Sequence, residues 1–142
     1  MSLYAWTTSG GGVAYGRTIP SDEAYIEVGT LPDAPQETWS IVNGELVVDE
    51  AKRIPLKLKE LEVAVQRHLD SVAESKGYDN IISACSYAGY TNPFQLEGQK
   101  FIEWRGAVWA QCYQMMNDWQ AGTLPEPTEQ EVLDAVPALN QT

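Results

Sequence analysis

The chain has 142 residues, 44 % of them apolar, and sets 20 acids against 9 bases for a formal net charge of −11. That length suits one compact domain, or a small module followed by a helical one, with enough apolar content for a core. So acidic a chain repels phosphate backbones, which excludes nucleic acid as a partner. With no basic apolar presequence and no apolar run near the ~20 residues of a membrane span, the expectation is a soluble cytoplasmic protein with no membrane contact.

The first third reads as strands. Residues 3–8, LYAWTT, alternate and carry aromatics, Ser9 to Gly12 is a turn, and VAYG leads to Arg17. A loop over Thr18–Asp22 precedes EAYIEVG, where Ala24, Ile26 and Val28 oppose Glu23, Tyr25 and Glu27. Residues 31–37 connect. TWSIV-NG-ELVVDE then predicts a hairpin, because Asn43-Gly44 supplies the two positive-φ positions of a type I′ turn.

From Ala51 to Lys76, Leu58, Leu61, Val65, Leu69 and Val72 recur every three or four residues, so the stretch is helical by pattern. Pro55 is expected to limit its start and Gly77 to stop it. A short helix follows, with Asp79 as its cap and Ile81, Ile82, Cys85 and Ala88 as its inner face. The longest signal runs from Asn92 to Gly122, with Asn92 as cap, Pro93 in the first turn and Gly122 as the stop. Phe101, Trp104, Val108, Cys112, Met115 and Trp119 lie on one face of it, and Trp109, Tyr113 and Met116 widen the stripe. A helix that apolar must be wrapped by other elements or by another chain, a second copy in a homo-oligomer included. TLPEPT is a rigid connector, and Thr128 to Glu131 form a capping box that opens a last helix through Val136. The fold class is therefore α+β, a β-rich module over residues 1–50 and a helical domain of three to four helices over residues 51–142. Helix 93–121 is expected to pack on 56–76.

The charge is uneven. Residues 1–49 hold seven acids and one base, residues 50–92 six of each, and residues 93–142 seven acids and two bases. Few residues suggest chemistry. Gly10 to Gly12 lack the lysine and following helix of a phosphate loop, and His68 has no second histidine. Cys85 and Cys112 fall inside helices, at no metal-site spacing. No nucleophile–base pair, carboxylate dyad, cofactor loop or metal cluster stands out, so no enzyme is expected.

What stands out is aromatic. Trp6, Tyr15, Tyr25 and Trp39 give the β-module a candidate partner-binding surface, since a module this small has little core of its own. Trp104 and Trp109 lie about 140° apart around their helix, so they must contact different neighbours. One is expected on the short helix and the other on the helix ending at Lys76. Arg105, set among aromatics, is a candidate clamp or binding hot spot, with Glu97 or Asp79 as its carboxylate.

Gly77-Tyr78-Asp79, Ser83-Ala84-Cys85-Ser86-Tyr87, Glu97-Gly98, Trp104-Arg105, Trp109, Gly122 and Pro125-x-Pro127-Thr128 together carry a resemblance. The stretch over roughly residues 68–139 resembles the C-terminal helical domain of bacteriophage tail-fibre assembly and tail-accessory proteins. That resemblance implies a protein that binds a tail fibre or another tail protein. It would act either as an assembly chaperone in the cytoplasm of the infected bacterium or as an adaptor that stays in the virion tail.

Overall fold

The computed structural model describes residues 2–19 and 23–140. Five strands are followed by four helices: β1 (Leu3–Thr7), β2 (Val13–Gly16), β3 (Tyr25–Val28), β4 (Trp39–Val42), β5 (Glu45–Val48), α1 (Glu50–Ser75), α2 (Ile81–Ser86), α3 (Gln95–Gln120) and α4 (Glu129–Ala135). This is the expected α+β arrangement. The chain divides into two compact units at Lys57/Leu58, so the boundary falls inside α1. Part of the loop expected over Thr18–Asp22, from Pro20 to Asp22, lies outside the described residues.

In the first unit, β1 is the centre of a three-stranded antiparallel sheet ordered β2-β1-β3. β4 and β5 form a separate antiparallel hairpin. Its turn has Asn43 at φ 52° and Gly44 at φ 78°, the type I′ signature read from the sequence. Ala5, Val13 and Trp39 form the buried centre of this unit, with Ile26, Val28, Ile41 and Val48 packed around them. Small as it is, the unit thus closes a core of its own.

Pro55 does not limit the start of α1; it lies inside the helix. Asp49 explains why. Its Oδ1 accepts from the Ala51 N–H at 3.0 Å and its backbone carbonyl accepts from Lys52 and Arg53, so the cap sets the start. The proline then costs one bond of the ladder without ending it. Lys52 reaches back through Nζ to the carbonyl oxygens of Trp39, at 2.7 Å, and Gly11, at 3.1 Å.

The second unit is built on α3 and the part of α1 beyond Leu58. Leu61, Val65, Leu69 and Ala73 of α1 share one core with Phe101, Trp104, Val108, Cys112 and Met116 of α3. The His68 and Trp104 rings meet at 5.9 Å, Tyr78 meets Phe101 at 5.5 Å, and Glu62 lies near Cys112, so the two helices run antiparallel. Both end on a left-handed glycine, Gly77 at φ 95° and Gly122 at φ 80°. Tyr78 N–H bonds to Ala73 O and Thr123 N–H to Asp118 O, the six-to-one closure that such glycines permit.

Three local expectations need correction. The cap of α2 is Asn80, whose Oδ1 accepts from Ser83 N–H at 2.8 Å, and not Asp79. Its inner face is Ile81, Ala84 and, just beyond, Ala88, with Cys85 packed partly buried against the same core as expected; Ile82, expected there too, is 57 % exposed. Asn92 does not cap α3, which begins at Gln95. It spends its side chain on the preceding turn, accepting from Phe94 N–H and donating to the carbonyls of Tyr87 and Tyr90. Of the capping box expected at α4, the Thr128 cap is present: Glu131 N–H donates to Thr128 Oγ1 at 3.1 Å, while the Glu131 carboxylate accepts from the Thr128 hydroxyl at 3.2 Å in place of its backbone N–H.

Candidate functional site

Part of the set that carries the resemblance, Tyr78, Ala84, Tyr87, Glu97 and Gly98, lies where α2 packs on the first turns of α3, whereas Gly122 and Pro125 to Thr128 follow the other end of that helix. Gly98 lets the two helices approach. A Cβ there would lie 2.8 Å from Ala88 N and 3.1 Å from Ala84 O, so only hydrogen fits. Small residues line this seam, and large ones flank it.

Those large residues form a chain of ring contacts from the core to the surface. Trp104, 5 % exposed, touches Phe101 at 6.2 Å, and Phe101 meets Tyr78 edge-on. Tyr78 meets Tyr87 at 5.5 Å, and Tyr87 meets Phe94 at 5.5 Å. At the outer end Phe94 is 53 % exposed and nearby Tyr90 is 78 % exposed. Each ring is held by the next, so the exposed end is pre-organised. Desolvation by burial and the Glu97 carboxylate facing it push the Tyr78 phenol up to about 12.

Glu97 therefore serves Tyr78 and not Arg105. The two are eight residues apart on α3, about 12 Å along the axis, too far for a forked ion pair. Asp79 is exposed and makes no hydrogen bond or ion pair among the described residues. Arg105 lies instead beside Cys85: burial pushes that thiol up, and the guanidinium opposes the shift. Trp104 packs on α1 through His68, and its indole N–H donates to Pro137 O at 2.7 Å, just beyond α4. Trp109 stacks on Tyr113 at 5.6 Å. Cys112 is fully buried, which raises its thiol to about 11, with Glu62 adding to the rise.

The aromatics proposed for the β-module divide. Trp39 is buried, its indole N–H bonded to Ala34 O, with Tyr15 against its ring at 5.5 Å. Trp6 is partly buried. Tyr15 and Tyr25 are the exposed pair, and Tyr25 is braced edge-on by Tyr4.

The exposed surface at Ile82, Tyr90 and Phe94 was not singled out from the sequence. The available signal was the density of aromatics around the Asn92-Pro93 turn, more than a short connection requires. Among the described residues no group of three or more His, Cys, Asp or Glu is placed to hold a metal ion, and no helix is long and apolar enough to cross a membrane. A shallow hollow of about 320 Å³ beside α3, with Lys76, Leu96, Lys100 and Leu139 on its walls, is open to solvent. The arrangement leaves aromatic area exposed at one corner of the helical unit. Compared with family models, curated proteins and solved structures, the chain matches none of them.

Proposed function

We propose that this chain is a bacteriophage tail-associated protein that binds a tail fibre, or another tail protein, and assists its assembly. What supports the reading is the convergence of some of the resemblance-bearing residues, Tyr78, Ala84, Tyr87 and Gly98, on one corner of the helical unit. The observation that carries it is the exposed aromatic surface at that corner, where Phe94 is braced by Tyr87 and Tyr90 is 78 % exposed. Rigid, exposed aromatic area is enriched in protein-binding cores, and its entropy of ordering is spent before the partner arrives.

Co-production with the tail fibre encoded by the same phage tests it. The fibre co-purifies with the wild-type chain, and Tyr90→Ser with Phe94→Ser lowers its recovery at least tenfold while leaving helicity unchanged. A Tyr15→Ser, Tyr25→Ser variant reads the contribution of the β unit separately. Full fibre recovery with the corner variant refutes this assignment of the surface. Mass spectrometry of purified virions separates an assembly factor, which is absent from them, from an adaptor present at stoichiometric levels.

A further inference from the structure

We propose that the α2–α3 face around Arg105 docks a partner segment that presents a carboxylate flanked by apolar side chains. The inference rests on the partner-binding reading above and names the chemistry of what is bound. The buried positions of α3 are Gly98, Phe101, Trp104, Val108, Cys112 and Met116. At 100° per residue Arg105 falls within the arc they define, between the directions of Cys112 and Gly98. A guanidinium therefore occupies an otherwise apolar stripe.

Arg105 has no internal compensation. Its Nε is buried without a hydrogen-bond partner, the one such side-chain atom among the described residues. No carboxylate of the described residues lies within 4.0 Å of its guanidinium. This holds although the second unit carries twelve acids against five bases. The residues around it are apolar and only partly covered. On its own helix Ile102, three residues before it, is about half exposed, and Trp109, four residues after it, stacks on Tyr113 along the same side of α3.

Charge complementarity selects the occupant. A lone cation ringed by aliphatic and aromatic area accepts a carboxylate, and the area around it accepts the residues on either side of that carboxylate. Arginine, tryptophan and tyrosine together are the composition of a binding hot spot. In an acidic chain such a site adds specificity, because an acidic segment is repelled elsewhere and satisfied here.

The test is a titration of the full-length ¹⁵N-labelled chain with two blocked tripeptides, Leu-Asp-Leu and its Leu-Asn-Leu counterpart, to several millimolar, where weak sites saturate. The Asp peptide is expected to move the Arg105 Nε–H and Trp109 indole N–H resonances and to bind at least tenfold more tightly than the Asn peptide. Arg105→Gln should abolish that preference, read at Trp109. Arg105→Lys, which keeps charge but loses the fork, should reduce it, and serves as the variant of record if Arg105→Gln does not fold. Equal response to both peptides, response to neither, or a preference that survives Arg105→Gln overturns the proposal. The Tyr90, Phe94 variant leaves Arg105 intact, so loss of fibre binding there and loss of peptide selectivity here are independent results.

Discussion

Gly98 and Gly106 both lie inside α3, and their surroundings predict opposite outcomes for the same change. At Gly98 a methyl group meets backbone atoms at 2.8 and 3.1 Å, which cannot retreat without moving α2. Gly98→Ala should cost about 1–3 kcal/mol, even against the ~1 kcal/mol that alanine gains in helix propensity. At Gly106 nothing lies within 4 Å of the added carbon, so Gly106→Ala should stabilise by roughly 0.5–1 kcal/mol. Urea melts of the two variants check both signs. Trp104→Ala removes a buried ring together with the donor to Pro137 O, and a loss of about 3–5 kcal/mol is expected in the same melts. Two raised acids give the unit an alkaline limit. Cys112 is raised from 9.0 to about 11 and Tyr78 from 10.0 to about 12, so the unfolded chain releases these protons first. Their contribution to stability is complete below pH 9, falls between about 9 and 11 as unfolded Cys112 ionises, and falls further to about 12 through Tyr78. Cys112→Ala should move the onset of alkaline unfolding, followed by circular dichroism, to higher pH.

At the level of elements, the start of α2 shows how a helix end is divided between near and distant residues. Asn80 caps from within, and Asp70 of α1 accepts the Ile81 N–H at 3.0 Å. Asn80→Ala should cost about 1 kcal/mol, whereas Asp79→Ala should stay within roughly 0.5 kcal/mol, in thermal or urea melts. This end also marks how far the fold was legible. The Asn43-Gly44 turn, the two stop glycines and the Thr128 cap were readable because each is complete within a few residues. Asp79 in place of Asn80, Pro55 as a boundary and Asn92 as a cap were misread because bonding made elsewhere decided them. Aspartate and asparagine side by side are equivalent candidates until Asp70 fixes where the helix begins. Ile82 was assigned inward on hydrophobicity. The inward place went to Ala84 because the approach to Gly98 leaves no room for more.

For the whole molecule, charge is the property that sequence and structure describe in the same terms. The first unit carries eight acids and four bases, the second twelve and five, so each repels itself at neutral pH. The Arg53–Glu50 pair at 2.8 Å is exposed and does little to offset that. Raising sodium chloride from ~0.05 to ~0.5 M shortens the screening length from above 10 Å to below 5 Å and should therefore raise the melting temperature. A melting temperature that falls with salt would mean that attractive pairs dominate. The candidate site was legible only in part. Trp104 and Arg105 were visible as unusual residues, but their contacts depend on α1, α2 and the segment after α4, which spacing along one helix cannot reveal. The exposed corner required knowing which aromatics the core had no room to take.

The ring chain from Trp104 to Phe94 also has an optical meaning. Neighbouring centroids 5.5 to 6.2 Å apart place the tyrosine and tryptophan transitions well within the range of energy transfer and exciton coupling. Light absorbed at Tyr87 or Tyr78 is passed inward to Trp104. A ligand at the surface end that shifts the Tyr87 ring is therefore expected to change transfer to an indole it never touches, read as the tyrosine-excited part of an emission that four other tryptophans share.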